Sequence, residues 1–203
     1  LWSLIFSLGL LAGIGGSVIF ANKRGSGNET EAQEHFTLSI LYGAALSILA
    51  MLIIGFFNEP LFRFFGADDE LLVMAKKYLK PIFFAVPCCV FSNILSAYLR
   101  DDNNPDLATI AVIVGGVFNC FGDYFCVFVL DLGIFGAGLA TATGQYVAII
   151  IMLVHFFRKK NTLRFVKPTS VLRKLWNISV VGFSTAISDL AMGIIGILFN
   201  RQI

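Results

Sequence analysis

Apolar and polar positions along the chain separate into long blocks rather than alternating at short period. The apolar runs are Leu1–Ala21, Phe36–Phe57, Tyr78–Leu99, Leu107–Val129, Ile134–Phe157 and Trp176–Phe199, and most charged residues fall between them. Each run reaches the ~20 residues that a helix needs to cross the hydrocarbon of a bilayer. Only helices and closed barrels satisfy their own backbone in lipid, and the two-residue alternation of a barrel strand is absent. The pattern predicts an all-α fold, a polytopic transmembrane helix bundle of about six spans.

Composition strengthens this reading. The 203 residues are 57% hydrophobic and 14% charged, too few polar groups to cover a water-soluble domain of this length. The net charge is +2 and the basic residues do not form a polar face, so no nucleic-acid partner is expected. Cys88, Cys89, Cys120 and Cys126 lie in apolar stretches without a CxxC pair or a nearby His. They read as small buried side chains, with no metal site and no cofactor implied. The chain starts at Leu1 inside one apolar run and stops at Ile203 just past another, which suggests a segment of a longer protein.

Charge sets the orientation. Lys23, Arg24, Arg100 and the cluster Arg158, Lys159, Lys160, Arg164, Lys167, Arg173 and Lys174 share one side. Arg63, Lys76, Lys77 and Lys80 lie on the other. The positive-inside rule puts the 158–175 connection in the cytoplasm and predicts a multi-pass protein of the cell (inner) membrane. The short Leu130–Gly133 link makes the fourth and fifth spans antiparallel neighbours. Pro81 and Pro87 predict a bend in the third span. Gly9, Gly13 and Gly16, and Gly136 with Gly138, predict close helix packing. The stretch "GIFGAGLAT" has no strand–turn–helix around it and does not read as a dinucleotide loop.

Two acids lie well inside spans, Asp123 and Asp189. An intramembrane charge costs at least about 2.5–3.5 kcal/mol, so such residues normally face the bundle interior and have a function. Asn119 sits four residues before Asp123, on the same helix face. Counted from the intervening turn, Thr141 on the next span has a depth comparable to that of Asp123. Asp123, Asn119 and Thr141 are therefore expected to converge as a pocket of hard oxygen ligands for a proton or small cation. A structural hydrogen-bond tie between the two helices is the other reading. Asp189, beside Thr185 and Ser188, is the second candidate, while Asp131 and His155 read as ordinary interfacial residues. The turn "RDDNNPDLA", with Asp101, Asp102 and Asp106, resembles the magnesium-diphosphate motifs of membrane prenyltransferases. Such a site needs a second acidic cluster, and Glu29, Glu31 and Glu34 are the nearest approach to one.

The stretch "YLRDDNNPDLATIAVIVGGVFNCFGDYFCVFVLDLGIFGAGLATATGQ", Tyr98 to Gln145, resembles the signature region of multidrug and toxic compound extrusion (MATE) transporters. "GIGGSVIFANKRGSGNETEA", "FFGADDELLVMAKKYL" and "VGFSTAISDLAMGIIGILFN" resemble further parts of the bacterial multidrug branch in the same order. The resemblance implies that the six spans are family helices two to seven. Residues 1–157 would be an N-terminal lobe without its first helix, 158–175 a basic inter-lobe connection, and 176–203 the start of the second lobe. It implies a secondary transporter, not an enzyme, that exports small organic cations against Na+ or H+ and is monomeric at full length. By position, Asp123 and Asn119 match the family's helix-five cation or proton site and Thr141 its helix-six partner. Asp189 falls where members often carry an acid on helix seven. An exporter of lipid-linked or metabolite cargo from the same superfamily is the alternative.

Overall fold

A computed structural model describes residues 2–64 and 66–200, including all their side chains except those of Phe64 and 196–200. The predicted positions Leu1 and 201–203 lie outside the described residues. Among the described residues six α-helices follow one another, each reversing direction: α1 (Trp2–Gly25), α2 (Glu29–Phe64), α3 (Asp69–Asp101), α4 (Pro105–Tyr124), α5 (Gly133–Leu153) and α6 (Val171–Asn200). All six are long and apolar enough to cross a membrane.

The helices outrun the apolar windows because polar caps, not hydropathy, set their ends. Asp68 accepts a hydrogen bond from the backbone N–H of Leu71 at 2.8 Å and starts α3 well before Tyr78. Asn28 caps α2 in the same way, through the Glu31 N–H at 3.3 Å, so the helix includes Glu29 and Glu34. α3 continues as helix through Pro81 and Pro87, and the break falls instead in α2, at Phe57 (φ −118°, ψ 21°), shortly before Pro60. The break in helical φ/ψ thus lies in α2, where the Pro60 ring opposes the carbonyl of Phe56, one turn back. α4 ends in a π-helical turn, Phe125–Val129, that begins just past Asp123.

α1 and α3 form the middle of the bundle. α1 packs on α2, α3 and α6, and α3 packs on α1, α2 and α5. Small residues allow these contacts: a Cβ on Gly13 would lie 2.9 Å from the Ile94 Cα of α3. One apolar cluster joins Phe20, Phe36, Val90, Ile94 and Tyr98 across α1, α2 and α3. A second joins Leu95, Leu99, Leu107, Ala111 and Met152 across α3, α4 and α5. Tyr98 is fully buried, and its hydroxyl donates to the His35 carbonyl at 3.2 Å. That uses its one proton, so Ser39 is the donor in the 2.8 Å contact between the two hydroxyls.

Candidate functional site

The short link makes α4 and α5 antiparallel neighbours, as the sequence predicts, and small residues bring their backbones together. Between them, α3 and α1 lies a cavity of about 270 Å³. Its polar lining is Ser92, Asn93 and Ser96 of α3, Asn119 of α4, and Thr141 and Gln145 of α5, with Trp2 and Phe6 of α1 alongside.

Asn119 Nδ2 donates to Thr141 Oγ1 at 3.4 Å, and the Thr141 hydroxyl donates to the Ala137 carbonyl at 3.0 Å. Tyr78 Oη is 3.5 Å from the same Thr141 oxygen and, with the threonine proton already used, must be the donor. Asn119 Oδ1 has no donor among the described residues, which leaves a neutral oxygen beside the cavity. Asp123 stands one turn further along α4, half-buried, and accepts no hydrogen bond among the described residues. It does not line the cavity that Asn119 and Thr141 share. Thr143 lies on the other side of α5, beside Phe118 and Phe121 of α4, whereas Gln145 joins the cavity.

Asp189 is on α6, the helix laid along α1. A Cβ on Gly15 would collide with the Ile178 carbonyl, and one on Gly182 with the Leu11 carbonyl, so the two backbones touch at mid-length. Asp189 Oδ2 is shut off from solvent and has no hydrogen-bond partner among the described residues. Ser188 donates to the Ser184 carbonyl at 2.9 Å instead of to this acid.

A second polar centre lies at the basic end of the bundle, where His155 is not the interfacial residue that the sequence suggests. His155 and Asp102 are both fully buried, with Nε2 to Oδ2 2.7 Å apart. Asn104 Nδ2 is 2.9 Å from His155 Nδ1. With that amide donating to Nδ1, the Nε2–H donates to Asp102. Arg24 of α1 donates to Asp102 Oδ1 at 3.0 Å, the Thr162 N–H donates to Oδ2 at 2.9 Å, and the Thr162 hydroxyl completes the shell. Burial pushes the Asp102 carboxyl up, but the donors from Thr162, His155 and Arg24 outweigh it and hold the group below the usual aspartate range. Each Asp102 oxygen is engaged by protein donors, a structural clasp rather than an open metal ligand.

The connection after His155 is tied down along its length. Gln33 donates through Nε2 to the Thr162 carbonyl at 3.0 Å and accepts at Oε1 from the Arg164 N–H at 2.8 Å. Thr37 accepts from the Val166 N–H at 3.1 Å, and Glu34 from the Thr169 N–H at 2.9 Å. Glu34 is also paired with Lys174 in the first turns of α6, which begins at Val171 rather than at Trp176. Three side chains on one face of α2 thus satisfy the backbone of an extended strap, with Leu163 buried beneath it. The sequence offered a faint sign of this: Gln33, Glu34 and Thr37 are spaced as one helix face immediately ahead of or within an apolar run.

Fold and site define a polytopic helical protein of the cell membrane with polar groups gathered inside its bundle. The MatE family model matches residues 1–125, and the chain belongs to that family. The multidrug export protein MepA of Staphylococcus saprophyticus is 28% identical over 98% of this chain. MepA of Staphylococcus aureus is 24% identical over the same share. The chain spans 45% of the length of these curated relatives. A solved multidrug resistance MATE family transporter of the MOP superfamily, in its inward-facing conformation, superimposes with a TM-score of 0.86. That match has 25% identity and covers 95% of this chain and 44% of the transporter. The fold also superimposes on an outward-facing transporter of the same description, with a TM-score of 0.83 at 24% identity.

Proposed function

We propose that the protein containing this chain is a secondary active transporter that exports small organic cations by antiport with Na+ or H+. Residues 1–157 supply its N-terminal lobe without the first helix, 158–175 the basic connection between lobes, and 176–203 the beginning of the second lobe. The basic connection faces the cytoplasm, and the full-length protein works as a monomer. The observation that carries this reading is the Asn119–Thr141 hydrogen bond across α4 and α5, beside a polar cavity in an otherwise apolar bundle.

Asp123 supplies the negative charge one turn from that pair. A carboxylate, an amide oxygen and a hydroxyl are hard donors suited to Na+, and the carboxylate alone suffices for a proton. Coupling follows from linkage: an ion bound at Asp123 favours one arrangement of the lobes, and the organic cation favours the other. When the ion leaves, the bare carboxylate attracts the cationic cargo. Asp189, with an oxygen that no group among the described residues satisfies, is assigned a second coupling or substrate-contacting role from α6.

In the full-length protein reconstituted into liposomes, Asp123→Asn is expected to abolish gradient-driven efflux of a fluorescent organic cation while leaving expression and monodispersity intact. Efflux at the wild-type rate from that variant overturns the assignment.

A further inference from the structure

Beside the break at Phe57, a groove of about 540 Å³ opens between α2 and α3. Its walls include Ile54, Gly55 and Asn58 of α2 and Lys76, Lys80 and Phe83 of α3. Gly55 helps keep it open: a Cβ there would already be in van der Waals contact with the Phe83 ring, at 3.7 Å. Asn58 Nδ2 donates to the Gly55 carbonyl at 3.1 Å, satisfying a backbone group beside the break.

Depth separates the two ends of this groove. α3 has 33 residues, roughly 50 Å of helix at ~1.5 Å per residue, against about 30 Å of hydrocarbon. Arg100 marks the far end of α3, and about 20 residues of span counted back from it end at Lys80. Lys80 therefore stands at the boundary between acyl chains and headgroups, Lys76 one turn out among the headgroups, and Phe83 about one turn in among the chains. The groove is apolar towards the bilayer centre and cationic at the headgroup level.

Its charge is not balanced from within. Glu59 takes Lys76 at 2.7 Å, while Lys80 is exposed and has no carboxylate partner among the described residues. Glu59 also pairs with Arg63 at 3.4 Å, so of the two groove lysines Lys76 has a carboxylate, a shared one, and Lys80 has none among the described residues. Long cationic side chains at such a depth direct their heads to the interface, where the abundant anion is a lipid phosphate.

We propose that this groove is a binding site for an anionic phospholipid. The phosphate sits at Lys80, with Lys76 adding to the field, and one acyl chain lies along Phe83 and Ile54. The leaflet is the one opposite the basic connection, the outer leaflet on the positive-inside orientation. The inference rests only on the chain spanning the membrane, so it stands or falls separately from ion-coupled export.

The test is native mass spectrometry of the full-length protein titrated with phosphatidylglycerol and, separately, with phosphatidylcholine. Wild type is expected to retain phosphatidylglycerol in preference to phosphatidylcholine. Lys80→Gln should weaken the first phosphatidylglycerol site about fivefold, the effect of one interfacial lysine, and leave phosphatidylcholine unchanged. Lys80→Arg should restore it. Gly55→Leu, which fills the groove from an exposed backbone position, should remove the tight phosphatidylglycerol site with Lys80 intact. Equal retention of the two lipids by wild type, or phosphatidylglycerol binding indifferent to both Lys80→Gln and Gly55→Leu, overturns the proposal. Displacement of the lipid by inorganic phosphate alone overturns it too, since the groove would then be a simple anion site.

Discussion

Gly115 of α4 and Gly144 of α5 approach each other reciprocally: a Cβ on either would lie 2.7 Å from the other's carbonyl oxygen. A Cβ on Gly144 would also come 3.0 Å from that of Asn119. This contact brings the two backbones close enough for Asn119 to reach Thr141, so the polar site depends on the absence of two side chains. Gly144→Ala is expected to push the helices apart, lower stability by about 1–3 kcal/mol as overpacking does, and weaken ion-coupled efflux in the full-length protein. Thermal unfolding in detergent and a transport assay read the two effects, and a variant with wild-type values in both would contradict this account of the site.

Asp102 draws α1, α3, the end of α5 and the strap to one point. Asp102→Asn leaves Arg24 without its counter-charge and the His155 Nε2–H without its carboxylate acceptor. The expected loss is about 2–4 kcal/mol, at or below the usual cost of breaking a buried pair because Arg24 remains 23% exposed. The pH dependence has a definite sign. The folded carboxyl titrates below its unfolded value near ~3.9, so its stabilisation is complete above that value and drains as pH falls through the lower, folded one. The stability gap between wild type and Asp102→Asn should therefore stay constant through neutral pH and narrow only below about pH 4. A gap that closes near pH 6 would mean that another group governs the clasp.

Glu34 holds the strap at its far end, through Thr169 and Lys174. Glu34→Ala should release the strap and, since Lys167 precedes Pro168 and resists trypsin, expose one cleavable bond in it, after Arg164. Limited trypsin digestion of the full-length protein is expected to cut there severalfold faster than in wild type. An unchanged cleavage rate would show that Gln33 and Thr37 suffice to hold the segment.

The long elements were legible because a helix in lipid must be apolar along its length, and no tertiary partner is needed to write that pattern. Their ends were less so. α2 and α3 continue into charged turns fixed by Asn28 and Asp68, where hydropathy has nothing to report. The pairing of Asn119 with Thr141 could be read from helix spacing and a short turn, since both lie on adjacent antiparallel spans. His155 could not: its partner Asp102 is 53 residues away, on a different helix. The strap escaped for a similar reason. Its ligands on α2 share a helix face, but an extended segment held by side chains has no periodicity of its own.

The central claim is that ion binding at Asp123 drives export. Liposomes containing the full-length protein, loaded with a fluorescent organic cation and given either a Na+ or a pH gradient, measure it directly. The account predicts efflux with at least one gradient, collapse of that efflux in Asp123→Asn, and marked weakening in Asn119→Ala. Gradient-driven efflux that persists at the wild-type rate in Asp123→Asn would contradict it.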